Sequence, residues 1–343
     1  MALVMNASAT RIETSARLES SRMRAATYSR YGSPDVVTLG EADIPTCGPN
    51  DVVIRVHAAS VNPYDWHMMT GTPLPMRLQS GLRRPKETKL GLDVAGVVEA
   101  VGPDVSRFSP GDAVFGAAPG AFVEVAKGTE ATLTHKPAEV SFEAAAAVPV
   151  AGLTALQGLR DHGALEPGSH VAINGAAGGV GTYAVQLAKH LGAHVTAVCS
   201  TRNVEMVRRL GADRVVDYTQ DDFTADADAY SVVIDNIGNK TVSSYKRCLV
   251  DEGVLVVVGG PKGTVLAPIP YIAKTLVAFK FAKQRAVSFM AQPSADDLAV
   301  LAELLASGTL VSEIERSFPL AEVADALRHL ETGRTRGKII ITP

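Results

Sequence analysis

The residues best suited to chemistry form one short turn, Ala176-Ala177-Gly178-Gly179-Val180-Gly181, set between an apolar run and an amphipathic one. It is the G-x-G-x-x-G fingerprint with alanine in its first place, and Gly175 just before it supplies the tight turn instead. Such a turn serves a pyrophosphate. Gly178 lets the backbone approach the phosphates without a Cβ, Gly181 lets the helix pack closely on its strand, and the unpaired N–H groups of the helix start face the charge. The expected cofactor cradle is therefore Gly175, Ala177, Gly178, Gly179, Val180 and Gly181, acting through the backbone.

A fingerprint of this kind has meaning only between a strand and a helix. Residues 170–174 supply the strand, and Val180, Ala184, Leu187, Ala188 and Leu191 recur at helical spacing until Gly192 stops the helix. Strand runs at residues 194–199, 214–218, 231–236, 253–259 and 286–290 then alternate with helices. With the strand before the turn they predict a doubly wound parallel sheet of about six strands. Upstream, residues 23–28, 36–39, 51–59, 92–101 and 109–115 are short β-rich runs broken by Gly, Pro and Asn, the pattern of a twisted antiparallel unit. Residues 76–89, polar and basic and interrupted by Gly81 and Pro85, read as a long loop between two strands. A helical stretch over residues 141–160 leads into the glycine turn. Beyond Pro293, a helix (295–307), a strand (314–318), a helix (320–331) and a closing strand (337–341) are expected to return to the first unit.

The predicted class is α/β, divided as residues 23–147, 148–290 and 291–343 after a disordered leader or tail over 1–22. A chain of 343 residues with 46% hydrophobic content has room for two domains. Its 33 basic and 36 acidic residues leave a net charge of −3, which offers nothing to nucleic acid. No run approaches the roughly 18 apolar residues of a membrane span. Cys47, Cys199 and Cys248 lie far apart, so no disulfide framework or local zinc knot is expected, and a reducing compartment follows. The first 22 residues have no apolar core of a secretory signal. Glu13 and Glu19 count against a mitochondrial presequence. The cytoplasm is the expected location, or the mitochondrion if that segment is a presequence.

In this order, Val61-Asn62-Pro63-Tyr64-Asp65, Gly91-Leu92-Asp93-Val94-Ala95-Gly96, Pro110-Gly111-Asp112, residues 144–156, the glycine turn, Leu210-Gly211-Ala212-Asp213 and Arg336-Gly337-Lys338-Ile339-Ile340 resemble the medium-chain dehydrogenase/reductase superfamily. More narrowly the chain is similar to the zinc-free quinone oxidoreductase branch, of the zeta-crystallin and reticulon-4-interacting-protein type. The resemblance implies a GroES-like twisted β domain joined to a Rossmann domain with a six-stranded parallel sheet. The zinc alcohol dehydrogenases place a cysteine where this chain has Asn62 and a His-Glu pair where it has Leu92-Asp93. Three cysteines also cannot build their four-cysteine lobe. With no metal to polarise an oxygen, simple alcohol oxidation is disfavoured.

About 20 residues past the turn, where NAD-binding folds carry Asp or Glu for the ribose, the chain reads Cys199-Ser200-Thr201-Arg202-Asn203. Hydroxyls and a guanidinium without a carboxylate suit a 2′-phosphate, so NADPH is the expected cofactor, bound by Ser200, Thr201 and Arg202. The resemblance adds Tyr218 to that phosphate, and Thr154, Asn236, Gly259, Phe289 and Met290 as walls around the nicotinamide. On the substrate side it points to the loop after the third strand. There Asn62 or Tyr64 would donate to a developing oxyanion, His67 would relay a proton, and Trp66 and Met69 would contact substrate, with Asp65 as an anchor. The implied activity is hydride transfer from NADPH to a quinone or α,β-unsaturated carbonyl. The alternatives are a zinc-free alcohol dehydrogenase or ketone reductase, and a non-catalytic NADPH-binding structural or regulatory protein. An apolar sheet edge at residues 286–290 implies a homodimer.

Overall fold

The computed structural model describes residues 22–261 and 266–343, so the expected leader lies outside the described residues except for Arg22. Two strands, β1 (Arg22–Thr27) and β2 (Thr38–Asp43), pair antiparallel. Then follow β3 (Asp51–Val61), β4 (Asp93–Val101), β5 (Ala113–Ala117), β6 (Val125–Thr129) and β7 (Leu133–His135). The second group is β8 (His170–Asn174), β9 (His194–Cys199), β10 (Arg214–Asp217), β11 (Tyr230–Asp235), β12 (Leu249–Val257) and β13 (Arg285–Ser288). The chain ends with β14 (Ile314–Pro319) and β15 (Lys338–Thr342).

Strands β8 to β13 form a parallel sheet in the order β10-β9-β8-β11-β12-β13, the doubly wound Rossmann arrangement. Their near-continuous apolar runs follow from burial on both faces. Val171 and Ile173 of β8 pack on one side with Val232, Ile234 and Val256, while Ala172, Val233, Leu255 and Val257 pack on the other. The switch point lies between β8 and β9 on one side and β11 on the other, at the carboxyl ends where the glycine turn leaves β8.

The second sheet runs β14-β15-β3-β4-β5-β7, with β6 also on β3, and forms the GroES-like unit. Its last two strands come from the C-terminal end of the chain, and β15 pairs antiparallel with β3 through Ile339–Val61 and Ile341–Ala59. Ala58, Ala95, Phe115 and Ile340 of this sheet belong to the same buried cluster as Val171 and Leu156, so the two sheets share packed side chains.

Several local expectations change. The supposed loop after β3 is a helix, Pro63–Thr70. Asn62 caps it, Pro63 fixes the first turn, the Asn62 N–H donates to Asp65 Oδ2 at 2.8 Å, and Gly71 ends it at φ 63°. The single helix expected over 141–160 divides into Phe142–Ala146 and Pro149–Gln157 followed by a π-turn at Gly158–His162, because Pro149 can only begin a helix. The loop over 76–89 contains one helical turn, Arg77–Ser80. Strand β13 stops at Ser288, two residues early.

Candidate active site

The glycine turn shows which of its glycines the fold itself requires. Gly175 lies at φ 82° with Ile237 side-chain atoms under 3 Å from a would-be Cβ, and its N–H and that of Ala176 both donate to Val198 O. A Cβ on Gly181 would sit 2.2 Å from Gly175 O, so close helix–strand packing forbids it. Gly178 is different. Its φ of −84° suits any residue, and a Cβ there would meet nothing nearer than Gly175 O at 3.5 Å. Glycine at that position leaves open a space the protein does not fill, next to the start of helix Gly179–His190. Ala177 is buried, and its carbonyl accepts from Gly337 N–H at 2.8 Å; Val180 packs partly on the core.

Beneath the turn lies a buried polar cluster. Asp93 Oδ2 accepts from Asn62 Nδ2 at 2.8 Å and from Ser60 Oγ at 2.7 Å, and Asp93 Oδ1 accepts from Val150 N at 3.0 Å, at the start of helix Pro149–Gln157. Lys338 Nζ donates to Asn62 Oδ1 at 2.6 Å and lies 3.5 Å from Asp93. A would-be Cβ on Gly179 lies 3.2 Å from Lys338 Cδ, so the cluster touches the cofactor turn. Burial holds the Lys338 ammonium below the usual lysine value, against the pull of Asp93 and Asp65. Asn62 therefore has its amide N–H and carbonyl both engaged inside the protein, which corrects its reading as an oxyanion donor. Among the described residues no group of three His, Cys, Asp or Glu side chains is placed to hold a metal.

The helix after Asn62 redistributes the other candidates. Met69 is fully buried in the β unit and cannot meet substrate. Trp66 packs partly on that same core and donates its indole N–H to Glu331 at 3.2 Å, which turns it toward helix Val323–Glu331 rather than toward a ligand. His67 Nδ1 lies 2.6 Å from Thr72 O, and burial lowers its pKa. A neutral ring with its proton on Nδ1 and pinned to a carbonyl is a poor proton relay, so that role is corrected too. Asp65 is the anchor expected: it accepts from the Asn62 and Gly91 N–H groups, and burial pushes its carboxyl up to about 7.

Tyr64 alone keeps its donor. Its hydroxyl has no partner among the described residues, and its ring lines a hollow of about 50 Å³ with Met68, Leu90, Leu92, Pro119 and Gly120. Burial, then the Asp65 and Glu87 carboxylates, raise its pKa, so the phenol stays protonated.

At the nicotinamide end, Thr154 donates to Val150 O at 2.6 Å and keeps its oxygen as an acceptor. Asn236 Nδ2 donates to Asn174 O at 2.9 Å, while its buried Oδ1 has no partner. Gly259 is required as glycine, since a Cβ would sit 2.2 Å from Asn236 O. Phe289 lies tilted against His162, with ring centroids 4.1 Å apart, and faces Gly158, so it packs on the protein, while Met290 is exposed.

The adenosine end joins parts that are far apart in sequence. Ser200, Thr201 and Arg202 lie on a turn after β9, Tyr218 follows β10 and is exposed, and Arg202 Nη2 donates to Arg334 O. Two features escaped the sequence reading. Arg334 meets this turn, through its backbone carbonyl, only by way of the returning C-terminal segment, and Asp217, from the next strand, brings a carboxylate to it. Thr201 Oγ1 donates to Asp217 Oδ2 at 2.5 Å and, with Thr219 and Gln220, holds that carboxyl down at about 2.

The contrast between two glycines is testable. Gly178→Ala should leave the melting temperature nearly unchanged yet weaken dinucleotide binding by about tenfold or more, read by fluorescence titration. Gly181→Ala should unfold at distinctly lower temperature in the absence of any ligand.

Residues 48–197 match the alcohol dehydrogenase GroES-like domain and residues 210–341 match the zinc-binding dehydrogenase family. The mitochondrial NAD(P)H oxidoreductase RTN4IP1 of Bos taurus is 36% identical over 361 residues, which cover 93% of this chain and 89% of that protein. The 2-methylene-furan-3-one reductase of Solanum lycopersicum is 34% identical, over 94% of this chain and 80% of its own length. The solved structure of the quinone oxidoreductase from Coxiella burnetii aligns with a TM-score of 0.84 at 31% identity, over 94% of this chain and all of that one. Matching of this extent, on a site built around a dinucleotide turn, shows that the chain belongs to the quinone oxidoreductase branch of the medium-chain dehydrogenase/reductase superfamily.

Proposed function

We propose that this nicotinamide-dependent oxidoreductase transfers a hydride from NADPH to a quinone or an α,β-unsaturated carbonyl without a metal ion. The observation that carries the reading is Tyr64, the one free donor among the substrate-side candidates, lining a hollow of apolar side chains edged by Glu87 and Lys89, beside a polar cluster that contacts the cofactor turn. The bound nicotinamide would supply the hydride. The Tyr64 hydroxyl would donate to the acceptor's carbonyl oxygen as negative charge builds there, and Leu90, Leu92 and Pro119 would keep water from it. Asn62, Asp93 and Lys338 hydrogen-bond one another, which fixes the start of the helix that carries Tyr64 and supports a reading without zinc. The residues fit the cofactor: Gly178 leaves a cradle, and the buried oxygens of Asn236 and Asn203 lack a protein donor. Thr154 and Asn236 would hold the carboxamide and ribose by accepting from them.

At the adenosine end, Ser200, Arg202 and Tyr218 support NADPH over NADH, with Arg334 beside them. The Asp217 carboxylate opposes it, although its hydrogen bonds to Thr201, Thr219 and Gln220 absorb its acceptor capacity. No helix among the described residues is long and apolar enough to cross a membrane. The bovine relative is named as mitochondrial; Glu13 and Glu19 keep our reading of this chain on the cytoplasm.

We further propose a homodimer through the free edge of β13. Phe281 and Met290 flank that edge with 85% and 72% of their surface exposed, an arrangement that invites a second copy.

Four measurements test these proposals. Chelator-washed protein should oxidise NADPH with quinones and alkenals and show no turnover of simple alcohols. Tyr64→Phe should lower kcat/KM for the acceptor by about 10²-fold with the KM for NADPH unchanged; metal-dependent or alcohol-directed turnover would overturn the reading. Arg202→Ala should raise the KM for NADPH by about tenfold or more and leave that for NADH nearly as it was. Light scattering should give a dimer mass that falls to the monomer when Phe281→Asp and Met290→Asp are combined.

A further inference from the structure

The segment between helix Pro63–Thr70 and β4 carries a surface that neither the fold nor the hydride site explains. Leu74, Leu78 and Leu82 recur every four residues and are all exposed, Leu78 by 72% and Leu82 by 67%. Single exposed leucines are ordinary, but three in nine residues form a patch. Around them stand Arg83, Arg84 and Lys86, exposed and without an ion pair among the described residues, and the half-buried Lys89; Glu87 is the one carboxylate of the loop. A chain of net charge −3 thus concentrates cations beside its exposed leucines.

The leucines are not exposed for want of anchoring. Tyr31 OH donates to Gly81 O at 2.6 Å and lies 2.9 Å from Ser80 Oγ. The Arg77 guanidinium lies 4.3 Å over the Tyr31 ring and donates to the carbonyls of Gly71 and Thr70, at the end of the preceding helix. The inner side of the loop is tied to the body of the protein, which leaves the leucines and free cations on its outer side.

We infer that this loop docks the protein on an anionic lipid bilayer. Leucines enter the boundary between headgroups and acyl chains, while arginine and lysine side chains reach the phosphates, and neither needs a shaped partner surface. A second copy of the same patch is a poor occupant, since two-fold pairing would set Arg83, Arg84 and Lys86 against themselves. The loop runs on into Glu87, Lys89 and Leu90, which line the Tyr64 hollow, so docking places that hollow at the lipid surface. Only this last consequence rests on the proposed function; lipid binding does not depend on which acceptor is reduced.

The test is flotation of the full chain with vesicles of phosphatidylcholine alone or mixed with phosphatidylglycerol, at low and high salt. The protein should float with the mixed vesicles, remain behind with the neutral ones, and be released by salt. The pair Leu78→Asp and Leu82→Asp, and separately the pair Arg83→Glu and Arg84→Glu, should each lower partitioning by about tenfold or more with unchanged melting temperature. Equal flotation with both vesicles, none with either, or variants that float like the parent would overturn the inference. So would a fall in mass on light scattering for the leucine pair, because the patch would then be covered by another copy. A protein that floats but reduces no quinone would retain this inference and refute the proposed function.

Discussion

Everything at the site depends on how one buried carboxylate is compensated. Asp93 and Lys338 are both inside the protein, and removing either partner from such a pair costs about 3–5 kcal/mol, whereas the intact pair adds little net stability over an apolar core. Its effect is registry. Asp93 accepts from Ser60 at the end of β3, from Asn62 at the head of the next helix and from Val150 at the start of the helix entering the Rossmann sheet. Lys338 comes from β15, one residue after Gly337, whose N–H holds Ala177 in the glycine turn. Four segments distant in sequence are therefore fixed at one point, between the glycine turn and the helix that carries Tyr64.

The same economy of contacts governs the adenosine end. The Arg202 guanidinium donates to the Arg334 carbonyl, so the C-terminal return that completes the β sheet also reaches the turn after β9. The ionised Asp217 meets the same turn from a neighbouring strand, whereas Arg334 lies more than 130 positions away from Arg202 in the sequence.

That geography explains what was legible in the sequence. The parallel strands and the glycine turn follow from local rules, apolar runs of strand length and a turn that needs Gly175 and Gly181 for steric reasons, and they could be read directly. The helix at Pro63–Thr70 could have been read as well: Asn62, Pro63, Asp65 and Gly71 are its cap, first turn, capping-box acid and stop. It was obscured because the segment lacks a clear apolar stripe. Taking it for a loop made Trp66, His67 and Met69 appear available to substrate, whereas a helix turns Met69 to the core and Trp66 toward Glu331. The engagement of Asn62 was beyond local reasoning, because its partners, Asp93 and Lys338, lie 31 and 276 positions away.

The cluster also bears on which acceptors the site can serve. Reducing an unactivated carbonyl, or oxidising an alcohol, needs a strong positive charge or a free base at the reacting oxygen. Lys89 and Glu87 line the hollow with opposite charges, Lys338 is committed to Asn62 and Asp93, and the Asp65 carboxyl is bound to two backbone N–H groups. The neutral phenol of Tyr64 is the uncharged donor of that lining, and one hydrogen bond stabilises an oxyanion by only about 3–4 kcal/mol. That suffices where the product anion is already delocalised, as in a hydroquinone or an enolate. The electron-poor acceptor we propose is the kind that this placement of charges favours.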